Sequence, residues 1–331
     1  MERSKLQAVQ SWFSRHRELS VFMILCLEIL WFYIQLYPEA GRRHTFFNAE
    51  NFLMIFKYSG IYGIAAIGAA MIIISGGIDL APGAVIGLTT VITGHLFVQS
   101  GYSLPVSALA GFMVGLCSGM MAAFLVTVIK LPPFIATLGV MGVARGLGFI
   151  ITRGGFYDLS HKIPDDFSLI GIPIEYWPGV IMITLAVVFH LFMVFTRTGR
   201  HIHAIGGNEL AAYFSGVKVR RVKVFVYIIG GLLASLSGIT LAIVHGQGRA
   251  DMATGYELDI IAAAVVGGAS LSGGKGSVLG AVLGSLIFGI LRNALSQIAG
   301  ATFYERLIVG VVIVVIVILD QLTVKKEGRT I

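Results

Sequence analysis

The chain has 331 residues, 56% of them apolar and only 12% charged, with a mean hydropathy of +0.87. Soluble domains carry about 25% charged residues, so this composition excludes an ordinary water-soluble globule and places the chain in a bilayer. The formal net charge is +7, but its cations are scattered over several segments without interleaved aromatics, which excludes a nucleic-acid surface and suits anionic lipid headgroups.

A helical span needs roughly 20 mostly apolar residues. Residues 1–20 hold four Lys/Arg and two Glu and precede the first run, Val21–Tyr37, which contains Glu28 and Cys26. No small-residue cleavage site follows, so an uncleaved span with a cytoplasmic N-terminal segment is expected. Leu53–Ser75 is the second run and stops at SGGIDLAPG. From Leu80 to Ile129 there is no Asp, Glu, Lys or Arg, which leaves room for a third and fourth span broken at Gln99–Ser103. Pro132–Ile151 is the fifth, with Arg145 inside it. Arg153–Glu175 follows with four acids against two bases, as expected of an outside loop. The sixth is Trp177–Phe195, and the basic stretch Arg197–Lys223 leads to the seventh, Val224–His245. Gly246–Asp259, with three acids and one base, reads as outside again. Ile260–Leu271 and Ser277–Leu291 flank SGGKG, and Leu307–Leu319 precedes a basic tail, 320–331. The sum is one all-α domain over 1–331, a polytopic membrane helical bundle of about ten spans with both termini cytoplasmic. Arg42, Arg43 and His44 resist the charge rule by falling outside. Cys26 and Cys117, both in apolar runs, offer no disulfide framework or metal spacing and read as core packing.

Arg197–Lys223 is the longest basic interruption, with six Lys/Arg and one acid, Glu209. Basic loops between spans stay on the cytoplasmic side, so it orients the rest. Within it a short helix is expected over Asn208–Val217: Asn208 caps it, Glu209 suits its positive end, and Gly216 ends it. Ala211, Ala212, Tyr213 and Ser215 complete the segment, and Leu210, Phe214 and Val217 share one face at i, i+4 and i+7. Such a helix either lies in headgroups or docks on a soluble partner.

In SGGIDLAPG, Gly76, Gly77, Asp79 and Pro82 fall within eight residues and will not propagate a helix. Broken backbone at membrane depth survives only where protein or a water-filled cavity covers it. Asp79 is therefore a pathway or gate candidate, or else the cap of the next helix. Arg145 either pairs in a polar pathway or snorkels to an interface. Glu28, His95, His190 and His245 read as singly satisfied polar residues. A weak internal echo links Gly76–Gly87 with Gly267–Gly280 through GG-x-x-L and G-[AS]-V-x-G; duplicated transporter halves produce such echoes, as do chance alignments of glycine-rich helices. No Walker pattern occurs, since Gly276 follows Lys275 where a hydroxyl is needed, and no other catalytic motif stands out, so an enzyme is not expected.

Several ordered motifs carry a family resemblance from about Asn51 onward: SGGIDL, FIATLG with its downstream RG, AIGGNELAA with SGV, and ELDIIAAAVVGGASLSGGKGSVLGAVLG. Together they resemble the membrane subunit of bacterial ABC importers of the ribose/xylose/galactoside class, although Ala81-Pro82 departs from the family's Ser at that turn. The resemblance implies cytoplasmic ATPase subunits that bind ATP, so that the chain needs no cofactor of its own. It also implies a periplasmic substrate-binding protein, a second permease subunit as homodimer or paralogous heterodimer, and a bacterial inner-membrane location. It further implies that Asn208–Val217 enters a cleft on the ATPase. The alternatives are an ion-gradient-driven secondary transporter, which would use Asp79 and Arg145, and a branched-chain amino acid permease of the related importer group.

Overall fold

The computed structural model describes residues 17–36, 46–163, 168–298, 300–304, 307–312, 314, 315 and 318. Eight helices among them are long and apolar enough to cross a membrane. They are α1 (Arg17–Gln35), α2 (Ala49–Ile74), α3 (Pro82–Gly94, prolonged by a π turn over His95–Gln99), α4 (Leu104–Thr127), α5 (Pro133–Thr152), α6 (Trp177–Phe195), α9 (Val219–His245) and α11 (Val278–Gln297). Short helices α7 (Arg197–Gly207), α8 (Glu209–Phe214) and α10 (Tyr256–Val266) fill the gaps. Prolines sit in the first turns of α3, α4, α5 and α6, where their missing N–H has no intrahelical acceptor to lose. Two antiparallel strand pairs, β1 (Phe156–Asp158) with β4 (Gln247–Arg249) and β2 (Ser168–Leu169) with β3 (Ile172–Pro173), decorate the acidic end.

The bundle is built around α2, which is buried at every residue from Ser59 to Ile74. Helices α6, α9, α10 and α11 pack against it, and Ile64, Ile67, Met71 and Ile74 are fully enclosed. By contrast α1, α4, α5 and α6 turn Leu, Ile, Phe and Val outward, as helices do whose outer solvent is lipid. Between α4 and α9 the contact is backbone on backbone. Gly111, Gly115 and Gly119 recur every fourth residue on α4, and a methyl group at Gly115 would strike the Gly231 carbonyl and Ser235 of α9. Lipid gives apolar faces no solvent reason to associate, so close small-residue packing holds the two helices together.

Nine of the ten expected apolar runs coincide with a helix, and the tenth is helical at 307–312. One of the nine is not a span. The run Ile260–Leu271 forms α10, which has 11 residues and a length of about 16 Å, half the hydrocarbon thickness. Its helix starts four residues earlier than the apolar run and stops at Gly267, because protein rather than lipid surrounds it. Nor is Gly246–Asp259 simply an outside loop: residues 247–255 run back along α3, with Gly248 against Thr90 and Gly94, and Ala253 against Gly83. Cys26 and Cys117 are exposed on the outer apolar surface and not core residues, since the sides of α1 and α4 that carry them face away from the bundle. The cluster Arg42, Arg43 and His44, most of residues 1–20 and the tail 320–331 lie outside the described residues.

Candidate coupling surface and helix-break junction

The basic end of the bundle is shaped by α7 and α8, which meet at Asn208. Thr196 caps α7 by accepting from Gly199 N at 3.0 Å. Asn208 leaves the helical conformation, and its Oδ1 accepts from Ala211 N at 2.9 Å, so one residue ends α7 and starts α8. Gly216, at φ +84°, lets Val217 N return to the Ala212 carbonyl at 3.1 Å and closes the helix. Glu209 pairs with Lys223 Nζ at 2.6 Å and ties the first turn of α8 to α9. The cap, the acid and the terminating glycine are where the sequence put them, but the helix itself is the shorter Glu209–Phe214.

Its apolar face differs too. Leu210, Tyr213 and Phe214 are exposed, Phe214 at 77%, whereas Val217 lies past the helix end and packs on the core. Only Ala212 points inward. Ala211, Ser215 and Gly216 are exposed around it. Beside α8 a cavity of about 1260 Å³ opens between the α4–α5 and α8–α9 turns, rimmed by Lys130, Lys218, Arg220 and Arg221. An aromatic-aliphatic knob beside a basic rim has the composition of a protein-docking surface, and it also suits anionic headgroups.

Beneath α7 the two glycine-rich breaks meet. Gly76, at φ +82°, turns the chain out of α2. The stretch after α10 folds back so that Gly274 N donates to the Ile74 carbonyl at 2.9 Å and His203 Nδ1 of α7 lies 3.1 Å from the Gly274 carbonyl. Gly206 of α7 is wedged against both: a methyl group there would overlap the Ile74 carbonyl and Gly274 N. The two segments that echo one another in sequence thus share one joint under the exposed knob.

From that joint the chain runs without regular structure through Gly77, Ile78, Asp79 and Leu80 to Pro82. Thr137 of α5 braces this stretch, accepting from Leu80 N at 3.1 Å with its hydroxyl 3.3 Å from the Ile78 carbonyl and 3.0 Å from that of Pro133. Asp79 is buried, and its Oδ1 accepts from Ala81 N at 2.8 Å. It closes a turn ahead of α3 and makes no cap bond to that helix, whose N-cap is Ala81. The Tyr227 hydroxyl of α9 stands over Gly77, 2.6 Å from where a side chain would begin. Asp79→Asn keeps the turn acceptor, whereas Asp79→Ala removes it and orphans a buried N–H. Thermal unfolding of the purified protein is expected to separate them, Ala losing about 1–3 kcal/mol and Asn less than half of that. Equal losses would mean that the charge, not the turn, is what the site holds.

Arg145 is not part of this junction. It sits two turns further along α5, where Nη1 donates to the carbonyls of Ala250 at 2.5 Å and Met252 at 2.9 Å. The sequence offered no sign of this pairing, because its acceptors are backbone atoms 105 and 107 residues away. Also unforeseen is the network of Arg292 with Asp259 at 2.7 Å and the Tyr62 hydroxyl at 2.6 Å, in the bundle interior. His95 accepts or donates at 2.9 Å with the Tyr157 hydroxyl, the satisfied polar residue expected of it.

Residues 51–317 match the family described as branched-chain amino acid transport system / permease component. The chain is 37% identical over 282 residues to the ribose import permease protein of Bacillus subtilis (strain 168), covering 84% of this chain and 86% of that protein. It is 34% identical over 285 residues to the ribose import permease protein of Escherichia coli (strain K12), covering 84% and 87%. It is also 32% identical over 333 residues to a probable ABC transporter permease protein of the same strain, covering 99% and 97%. No solved structure matches the chain.

Proposed function

The chain belongs to the branched-chain amino acid transport system / permease component family, and from that premise we propose that it forms the translocation pathway of an ABC importer for a sugar or related polyol. Its relatives named as ribose import permeases support the sugar over a branched-chain amino acid. Asp79 closing a turn and Arg145 clasping carbonyls engage with backbone the two charged groups that the ion-gradient alternative would use. In this reading the basic end faces the cytoplasm of a bacterial cell, at the inner membrane. ATP is bound by partner ATPase subunits, and a periplasmic binding protein delivers the solute. A second permease copy or paralogue completes the pathway.

The observation that carries the coupling role is the exposed trio Leu210, Tyr213 and Phe214 on α8, standing over the joint of both helix breaks. A partner that pushes α8 moves α7 with it, and Gly206 hands that motion to the ends of α2 and α10. Orientation is checked by labelling intact cells with a membrane-impermeant thiol reagent in a Cys26→Ser, Cys117→Ser background. Ser160→Cys, beside β1, is expected to react and Ser215→Cys to stay protected until the cells are opened. The reverse pattern would invert the assignment. Transport itself is tested by co-purifying the partner ATPase and measuring D-ribose uptake in vesicles.

A further inference from the structure

The stretch between α9 and α10 combines depth with polarity in a way that lipid does not tolerate. Its depth follows from its neighbours. Thr90 of α3 holds Arg249, accepting from its N at 3.1 Å, while its single hydroxyl proton lies between the Gly87 carbonyl at 2.7 Å and the Arg249 carbonyl at 3.0 Å. Ala250 lies on Gly148 of α5 and Gly87 of α3, and Ala253 lies on Gly83. Gly83 is eleven residues before Gly94, so the stretch descends about 16 Å along α3. Tyr256 then packs on Tyr62 with ring centroids 4.5 Å apart and the rings tilted at 44°, and Tyr62 is twelve residues, or about 18 Å, from the far end of α2. Residues 249–255 therefore travel from near the acidic end to the middle of the bundle. Arg145 holds them there by the carbonyls of Ala250 and Met252.

Along this descent the inward side is alanine and glycine, while the other side is polar and open. Arg249 grips Asp251 through two bonds, Nε to Oδ1 at 2.9 Å and Nη2 to Oδ2 at 2.7 Å. Their side chains remain 44% and 50% exposed. Thr254, deeper still, is exposed and donates to the Asp251 carbonyl at 2.6 Å. Non-helical backbone and charged groups at such depth require protein or water around them, not hydrocarbon. A bidentate ion pair is neutral as a whole yet keeps spare donors and acceptors at its rim, which suits an uncharged, hydroxyl-rich solute and repels neither sign strongly.

We propose that Arg249, Asp251 and Thr254 line a water-filled vestibule, open at the acidic end, along which the polyol passes toward the middle of the bundle; the solute class rests on the importer reading above. The test uses the whole importer in intact cells, with Cys26 and Cys117 replaced by Ser. Thr254→Cys is expected to react with both the anionic sulfonatoethyl and the cationic trimethylammonioethyl methanethiosulfonates. Asp251→Cys leaves Arg249 unpaired, so the anionic reagent should gain about tenfold over the cationic one, each rate taken relative to that reagent's rate with a small free thiol. Arg249→Cys leaves Asp251 unpaired and should reverse that order. Failure of Thr254→Cys to react with either reagent, even if a lipid-soluble maleimide labels it, overturns the vestibule, since lipid or a second copy would then cover the face. The same charge preference in both pair variants overturns it as well, and these two carry the question if Thr254→Cys does not accumulate. Loss of ATPase co-purification with labelling intact would remove the importer reading and leave the vestibule standing.

Discussion

Phe214→Lys is expected to abolish uptake and lower recovery of the ATPase at least tenfold, while the protein still inserts at normal levels. Phe214 is 77% exposed on a six-residue helix, and so short a helix has little stability of its own. Its shape comes from the Asn208 cap and the Gly216 turn, neither of which involves the ring. The substitution therefore removes a contact and spares the fold. Burying a phenyl ring contributes about 1.5–3 kcal/mol, and a lysine in its place brings a charge that a protein cleft rejects at a cost of several kcal/mol. Headgroups would accept the same lysine, whose stem can lie along them with the ammonium in water. Full transport with normal ATPase recovery would show that α8 rests on lipid.

Gly206→Val should have the second large effect, and on a different measurement. Its first side-chain carbon would occupy the space of the Ile74 carbonyl and Gly274 N, which are hydrogen-bonded at 2.9 Å. Neither neighbour is a flexible side chain, so relief requires α7 to move off the joint. Overpacking costs about 1–3 kcal/mol, and breaking the buried bond adds about 1–3 kcal/mol more. Thermal unfolding in detergent should register the sum, and uptake should fall even in the fraction that remains folded. Gly207→Val next door, where a side chain would meet nothing within 4 Å, serves as the control. A wild-type melting curve for Gly206→Val would dissolve the joint as described.

Eight spans were legible because an uninterrupted apolar run long enough to cross lipid has few other uses. Trp177–Phe195 emerges with the same limits in sequence and structure. The cap, acid and glycine of α8 were legible for a similar reason, since each satisfies or terminates backbone locally. What failed was everything set by distant partners. The run Ile260–Leu271 looks like a short span, but its length is that of a half-helix enclosed by α2, α3 and α11. Gly246–Asp259 looks like a loop because it is charged, and only the glycines of α3 and α5 reveal that its backbone is sunk between helices. Val217 has the right spacing for the face of α8, yet Gly216 turns the chain before it gets there. Arg145 spans both cases: its intramembrane position announced a role, and its carbonyl acceptors could not be read from any local pattern.

The central position of α2 has a consequence for how the protein is made. Its Lys57 is buried and paired at 2.7 Å with Glu175, 118 residues further along the chain. Ribosomes add about 5–20 residues per second, so the lysine waits about 6–24 s for its carboxylate. The helices that wrap the rest of α2 arrive later still. During that interval the most enclosed helix of the mature bundle stands in the bilayer with its glycine flank bare and its ammonium drawn toward the headgroups. Membrane proteases and insertion chaperones are thus expected to meet α2 in its least protected form, and slowing synthesis of the second half is expected to lower the yield of this chain.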